Sequence, residues 1–166
     1  MYKIEKIKNS FYIDEKTFNS ISHKGYGVET GKGIYELNIY ECLFLIEKKK
    51  AELNSKSKKI EFKEIISYKN FDITSYIIYK DLRTKGYIVK SGFKYGFAFR
   101  VYDKGIKPNE DHSLWLVEPI REKDSLKMKS IAGSNRVAHG TGKKMLFGIV
   151  DDENNVTYIE TNWKRV

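Results

Sequence analysis

The alternation of apolar and polar residues divides this chain into short strands and amphipathic helices. Residues 1–14 alternate at period two and predict two short strands joined by a turn at Lys8–Asn9–Ser10. Glu15–Ile21 predicts a short helix, and Gly25, Gly27, Gly31 and Gly33 punctuate the loop after it. No lysine–serine or lysine–threonine ending follows these glycines, so they read as loop geometry and not as a phosphate cradle. The firmest helical pattern covers 39–53. Asn38 stands in the cap position with Glu41 three residues on, and Ile39, Cys42, Leu43 and Ile46 share one face. Lys48–Lys49–Lys50 near its end suit the helix dipole. Residues 54–59 read as loop, and 61–69 as a shorter helix with Phe62, Ile65 and Ile66 inward. Asp72 caps a third helix running from Ile73 towards Lys85, with Phe71 and Tyr76 as its staple and Gly86 as its stop.

Beyond Gly86 the pattern becomes that of a sheet with one helix inserted. Tyr87–Lys90 and Phe93–Tyr102 predict a hairpin across Ser91–Gly92. Within its second strand Phe93, Tyr95, Phe97, Phe99 and Val101 fall on one apolar face, and Lys94, Gly96, Ala98, Arg100 and Tyr102 on the other. Ser113–Pro119 predicts another strand, and 124–138 a helix that Gly133 weakens. Lys143–Val150 is apolar on both faces, as a central strand should be. Asp151–Asn155 is an acidic turn and Val156–Trp163 the last strand. The fold class expected is mixed α+β and α/β: a small N-terminal α+β domain over 1–72, then a C-terminal α/β domain over 73–166 built on a central mixed sheet.

Composition narrows the partners more than the fold. The hydrophobic fraction of 40% and the aromatic fraction of 14% belong to a folded chain. A net charge of +9 favours a polyanion such as nucleic acid. Cys42 is the only cysteine, so no internal disulfide and no cysteine-based zinc site can form within one chain. The start has no secretion-type apolar segment, and no apolar run approaches the ~20 residues of a membrane span. A soluble, cytoplasmic protein with no membrane partner is expected.

Candidate chemistry comes from three side chains, each at the mouth of a predicted strand or loop. Tyr102 closes one strand, His112 lies in Asp111–His112–Ser113, and the pair Lys143–Lys144 heads a further strand. A phenol, an imidazole and an ammonium can perform acid–base chemistry on a phosphodiester without a metal. A free imidazole titrates near ~6.5 and can give a proton near neutrality. A free phenol titrates near ~10, so Tyr102 needs cations beside it, for which Lys143 and Arg100 are the candidates. His139 reads as structural and His23 as an ordinary surface residue. No pair of carboxylates followed by a strand lysine marks a metal-dependent nuclease.

The chain resembles the archaeal tRNA-splicing endonuclease family, most densely over 76–166. The resemblance is carried by Tyr79–Lys80–Asp81–Leu82–Arg83–Thr84–Lys85–Gly86–Tyr87, Gly92–Phe93–Lys94–Tyr95–Gly96 and Phe99–Arg100–Val101–Tyr102. It continues through His112–Ser113, Leu116–Val117, Arg136–Val137–Ala138–His139 and Lys143–Lys144–Met145, and Leu37–Lys50 is similar to the family's N-terminal-domain helix. The resemblance implies that the C-terminal domain is a nuclease. It implies cleavage of precursor tRNA at bulge–helix–bulge junctions, leaving a 2′,3′-cyclic phosphate and a 5′-hydroxyl, with no metal and no cofactor. By the same resemblance Tyr102 is the general base, His112 the general acid and Lys143 the transition-state stabiliser. Arg136 matches an arginine that stacks on an extruded base, Tyr158 or Trp163 is a candidate second platform, and Arg100 is a further candidate for substrate binding. The family works as tetramers, which implies a homo-tetramer or a hetero-tetramer with a related structural subunit. Asp151, Asp152 and Glu153 match its acidic assembly loop, and Val156–Trp163 its pairing strand. One departure is local: Thr141–Gly142 stand where the family has a bulky residue and an arginine before the lysine. A non-catalytic RNA-binding or structural subunit is the alternative that this departure keeps open.

Overall fold

The computed structural model describes residues 1–69, 71–106, 111–164 and 166. The chain forms two compact units, Met1–Ile73 and Thr74–Val166, in a mixed α+β fold with two mixed sheets. No helix among the described residues is long and apolar enough to cross a membrane.

The first unit contains β1 (Tyr2–Ile7), β2 (Ser10–Ile13), α1 (Glu15–Ile21), β3 (Val28–Gly31), β4 (Ile34–Leu37), α2 (Ile39–Glu47), β5 (Ala51–Ser55), β6 (Lys58–Ile60) and α3 (Phe62–Ile66). Its sheet runs β3-β4-β2-β1-β5-β6, with β1 and β5 parallel and the other neighbours antiparallel. The cap on α2 forms as expected. The Asn38 side chain accepts the N–H groups of Tyr40 and Glu41 at 2.9 Å each, and Glu41 accepts the Asn38 N–H in return at 3.0 Å. Glu41 is buried yet satisfied, because its carboxylate also accepts the Gly27 N–H at 3.3 Å.

Four expectations for this unit are corrected. The helix expected over 39–53 stops at Glu47, where Lys48 and Lys49 turn the chain, Lys49 with a φ of 55°. Ala51–Ser55 is then captured as a strand beside β1, a non-local pairing that overrides local helical preference. The glycine-marked loop holds the β3–β4 hairpin, in which buried Tyr35 stacks on Phe18 with ring centroids 4.4 Å apart. The loop expected over 54–59 is largely the β5–β6 hairpin, turned at Lys56 and Ser57. In α3 only Ile65 of the three expected apolar residues is fully buried; Ile66 is exposed.

The second unit carries α4 (Ile73–Thr84, entered from the last residue of the first), β7 (Ile88–Ser91), β8 (Phe99–Tyr102), β9 (Trp115–Arg121), α5 (Met128–Gly140), β10 (Lys144–Val150) and β11 (Val156–Thr161). Its sheet runs β11-β10-β9-β8-β7, and only β9 and β10 are parallel, joined through α5. Ala138 of α5 packs on Leu116, Met145, Phe97 and Phe147 on one face. On the other face lies α4. A methyl group added at Gly148 would come within 2.7 Å of Ile78, and Tyr79 sits against Phe99 with centroids 5.9 Å apart.

The long strand expected from Phe93 to Tyr102 is only half strand. Phe93–Tyr95 form one 3₁₀ turn closed by Gly96 at φ 79°, and Phe93 is 88% exposed. Gly92 permits this turn by letting the chain pass its own return strand: a Cβ there would meet the carbonyl carbon of Phe99 at 2.7 Å. The inserted helix begins at Met128, later than expected, because Asp124 accepts the Arg121 N–H at 2.8 Å and holds a turn first.

Candidate active site

Sheet register decides where the expected site residues meet. Val101 on β8 pairs with Trp115 on β9, which pairs with Lys144 on β10. Leu114 ties the next row, donating its N–H to the Val101 carbonyl at 2.8 Å and accepting that of Lys144 at 3.0 Å. One residue outward on each chain stand Tyr102, Leu114 and Lys143, with His112 two residues before Leu114. Adjacent strands lie about 4.8 Å apart, so the Tyr102 and Lys143 backbones are separated by about two spacings. Alternation puts Arg100, Tyr102, Leu116, Lys143 and Met145 on the face covered by α5.

The side chains at this end form a cationic and phenolic cluster. The Arg100 guanidinium lies 5.8 Å from the centroid of the Tyr102 ring, and Tyr102 is only 3% exposed. The Lys143 ammonium donates to the Thr141 carbonyl at 3.0 Å and sits 5.1 Å from the centroid of Tyr95. Lys94 reaches the same ring at 4.8 Å. The Tyr95 phenol is held below its ordinary pKa, first by a hydrogen bond from Lys94 and then by the fields of Lys143, Lys94 and Arg100, against an opposing effect of burial. Two buried polar atoms at this end, Arg100 Nε and Ser113 Oγ, have no hydrogen-bond partner among the described residues. His112 is exposed, and its backbone N–H donates to Asp111 Oδ1 at 2.6 Å.

The two adjacent lysines have different partners. Lys144 pairs with Glu160 of β11 at 2.9 Å, and the same carboxylate accepts the Trp115 indole N–H at 2.8 Å. Those two bonds, the indole's first, hold Glu160 below the ordinary carboxylate range. Lys143 is left facing the Tyr95 ring. The Thr141–Gly142 departure also has a structural reading: Gly142 adopts φ 69°, a conformation that disfavours any side chain. Thr141 closes α5 by donating its hydroxyl to the Val137 and Ala138 carbonyls at 3.0 Å.

The remaining expected residues are distributed as follows. Arg136 is exposed on α5 with its guanidinium 5.2 Å from the centroid of Trp163. Tyr158 donates its hydroxyl to Asp81 of α4 at 2.7 Å; burial above all, and then this bond, push its pKa up. The phenol thus ties β11 to α4. Asp151 uses its carboxylate inside its own turn, accepting the N–H groups of Glu153 at 2.9 Å and Asn155 at 2.8 Å. Asp152 and Glu153 are exposed. Sequence reasoning missed Tyr95 and Lys94, assigning the tyrosine to an apolar stripe; a hydroxyl beside a lysine inside that stripe was the available signal. Among the described residues no group of three or more His, Cys, Asp or Glu side chains is placed to hold a metal ion.

Fold and cluster together define an α+β protein whose cationic and titratable side chains gather at one end of a mixed sheet. Residues 73–158 match the family described as tRNA intron endonuclease, catalytic C-terminal domain. The chain is 37% identical to the tRNA-splicing endonuclease of Thermococcus kodakarensis, over 92% of this chain and 92% of the relative. It is 37% identical to that of Methanothermobacter thermautotrophicus, over 88% and 89% of the two chains. With that of Nanoarchaeum equitans it shares 36% identity over 78% and 90%. The chain belongs to the tRNA intron endonuclease family.

Proposed function

We propose that this protein is a metal-independent endoribonuclease that cleaves precursor tRNA at intron–exon bulge–helix–bulge junctions, leaving 2′,3′-cyclic phosphate and 5′-hydroxyl ends. The observation that carries the reading is the shared row at the end of the second sheet, with Tyr102 on one strand, Lys143 at the head of another, and the His112 segment between them. In the proposed reaction Tyr102 takes the proton of the 2′-hydroxyl, and the freed oxygen attacks the adjacent phosphorus. The bond to the 5′-oxygen breaks, and His112 delivers a proton to that leaving group. Lys143 stabilises the negative charge of the phosphorane between these events. Arg100, beside the Tyr102 ring, is a further phosphate contact. Arg136, its guanidinium 5.2 Å from the centroid of Trp163, offers a plane to a splayed base.

Catalysis is expected from a tetramer, of this chain alone or with a related structural subunit. Asp152 and Glu153 are the exposed acids of the assembly loop, and Asp151 shapes their turn. Tyr158, whose hydroxyl is bound to Asp81, ties β11 to α4. Incubation of the purified protein with a bulge–helix–bulge RNA in EDTA tests the function. Cuts at both bulges with cyclic-phosphate ends are expected; intact RNA, with or without a partner subunit, would overturn the reading.

One observation favours a second reading, a non-catalytic subunit of such an assembly: Tyr102 is nearly inaccessible within a single chain. His112→Ala in the reconstituted assembly separates the two. The catalytic reading expects a fall of about 10²–10⁴-fold, and the non-catalytic reading expects no change.

A further inference from the structure

We propose that Tyr95 is a positioning residue for Lys143: its ring face holds the ammonium at the end of the sheet where the scissile phosphate is to sit. The inference rests on the proposed function for what Lys143 does there, and on geometry for how Lys143 is held.

Lysine carries its charge on a four-carbon stem and loses much rotamer freedom when fixed, so a lysine serving a transition state needs anchors. Lys143 has two of different kinds, the Thr141 carbonyl at 3.0 Å and the Tyr95 ring at 5.1 Å from its centroid. The second is a cation–π contact within the distance at which such contacts attract. It leaves the remaining ammonium protons available to an incoming oxygen. The ring is itself immobilised, because Tyr95 packs on the cluster of Phe97, Leu116, Ala138, Met145 and Phe147. The 3₁₀ turn that carries it is closed by the Gly96 N–H bonding to the Phe93 carbonyl at 2.9 Å. Fixed packing below and a cation beside the ring are what distinguish a shelf from a filler.

The neighbouring charges support a phosphate destination. Lys94 lies 4.8 Å from the same ring centroid, so the two ammonium nitrogens are no farther apart than those two distances laid end to end. Arg100 adds a third positive charge acting on the Tyr95 phenol. Three like charges around one small volume repel each other until an anion enters. The dispersed charge of a phosphorane is such an anion.

Two variants separate a positioning ring from mere packing. Tyr95→Phe keeps the aromatic face, whereas Tyr95→Leu keeps apolar volume and removes it. Single-turnover cleavage of a bulge–helix–bulge RNA is expected to slow at least about tenfold in Tyr95→Leu, with RNA affinity within about twofold, and to stay within about threefold in Tyr95→Phe. Unchanged cleavage by Tyr95→Leu, or equal loss in both variants at matched melting temperature, would overturn the proposal. A readout independent of cleavage is the ring-current shift of the Lys143 side-chain protons by NMR. It is expected in the parent chain and in Tyr95→Phe and lost in Tyr95→Leu; its absence in the parent overturns the positioning whatever the RNA result. If the shift is present but the parent chain does not cut, the functional reading fails and the geometric one stands.

Discussion

At the scale of single residues, the site is a set of groups with divided labour. Lys144 is committed to Glu160, whereas Lys143 is held by the Thr141 carbonyl and the Tyr95 ring face. Lys143→Met is therefore expected to slow single-turnover cleavage by about 10²–10³-fold, the usual loss for one oxyanion-stabilising group, while Lys144→Met leaves the rate within a few-fold. Rapid-quench kinetics on both variants checks the contrast. Gly92 offers a different single-residue test. Its missing side chain makes room for the Phe99 carbonyl, which as backbone cannot swing aside, so Gly92→Ala should cost about 1–3 kcal/mol on thermal unfolding. Sequence reading singled out Tyr102, His112 and Lys143 through motif order and gave Tyr95 no role in the site. Period two gave that residue an apolar role, and the real local conformation there is a 3₁₀ turn.

At the scale of elements, the expectations that held rest on local chemistry. The Asn38–Glu41 box starts α2 where the sequence put it, and Asn38→Ala should lower stability by about 1 kcal/mol in denaturant unfolding. The end of that helix was not legible, since Ala51 and Leu53 fit either period and only pairing with β1 settles them as strand. The β11 edge is held through Glu160, which binds Trp115 of β9 and Lys144 of β10. Its carboxyl lies below the ordinary range, so folding favours the ionised form. That contribution is fully present above the unfolded-state pKa and is lost as pH falls through the lower folded value. Amide exchange along Val156–Thr161 should accelerate in that acid window, and the Trp115 indole proton should shift with it. Glu160→Gln should flatten both responses.

At the scale of the molecule, the second unit exposes what an assembly would use. Ile159 is 49% exposed on the edge strand β11, and Asp152 and Glu153 project from the turn before it. An uncapped edge with an apolar side chain is a pairing surface. Reversing charge in Asp152→Lys/Glu153→Lys is expected to reduce the mass in solution below that of the proposed tetramer. Molar salt should weaken assembly of the parent chain in the same direction, because exposed charges are screened. Light scattering reads both. An unchanged mass in the double variant would remove the acidic turn from the assembly.

Order along the chain carried the motifs, the caps and most strand positions, because those depend on neighbours a few residues away. Asn38, Gly86 and the apolar run Met145–Val150 are examples whose meaning is local. Contacts between distant segments decided the rest: Ala51–Ser55 became strand by lying beside β1, and Tyr158 became a strut by meeting Asp81. The same holds for the site. Residues 102, 112 and 143 are separated along the chain, and hydrogen bonding among β8, β9 and β10 brings Tyr102, Lys143 and the segment that carries His112 to one end of a sheet. Periodicity reports which way a side chain points on its own element. It holds no information about which other element will stand across from it.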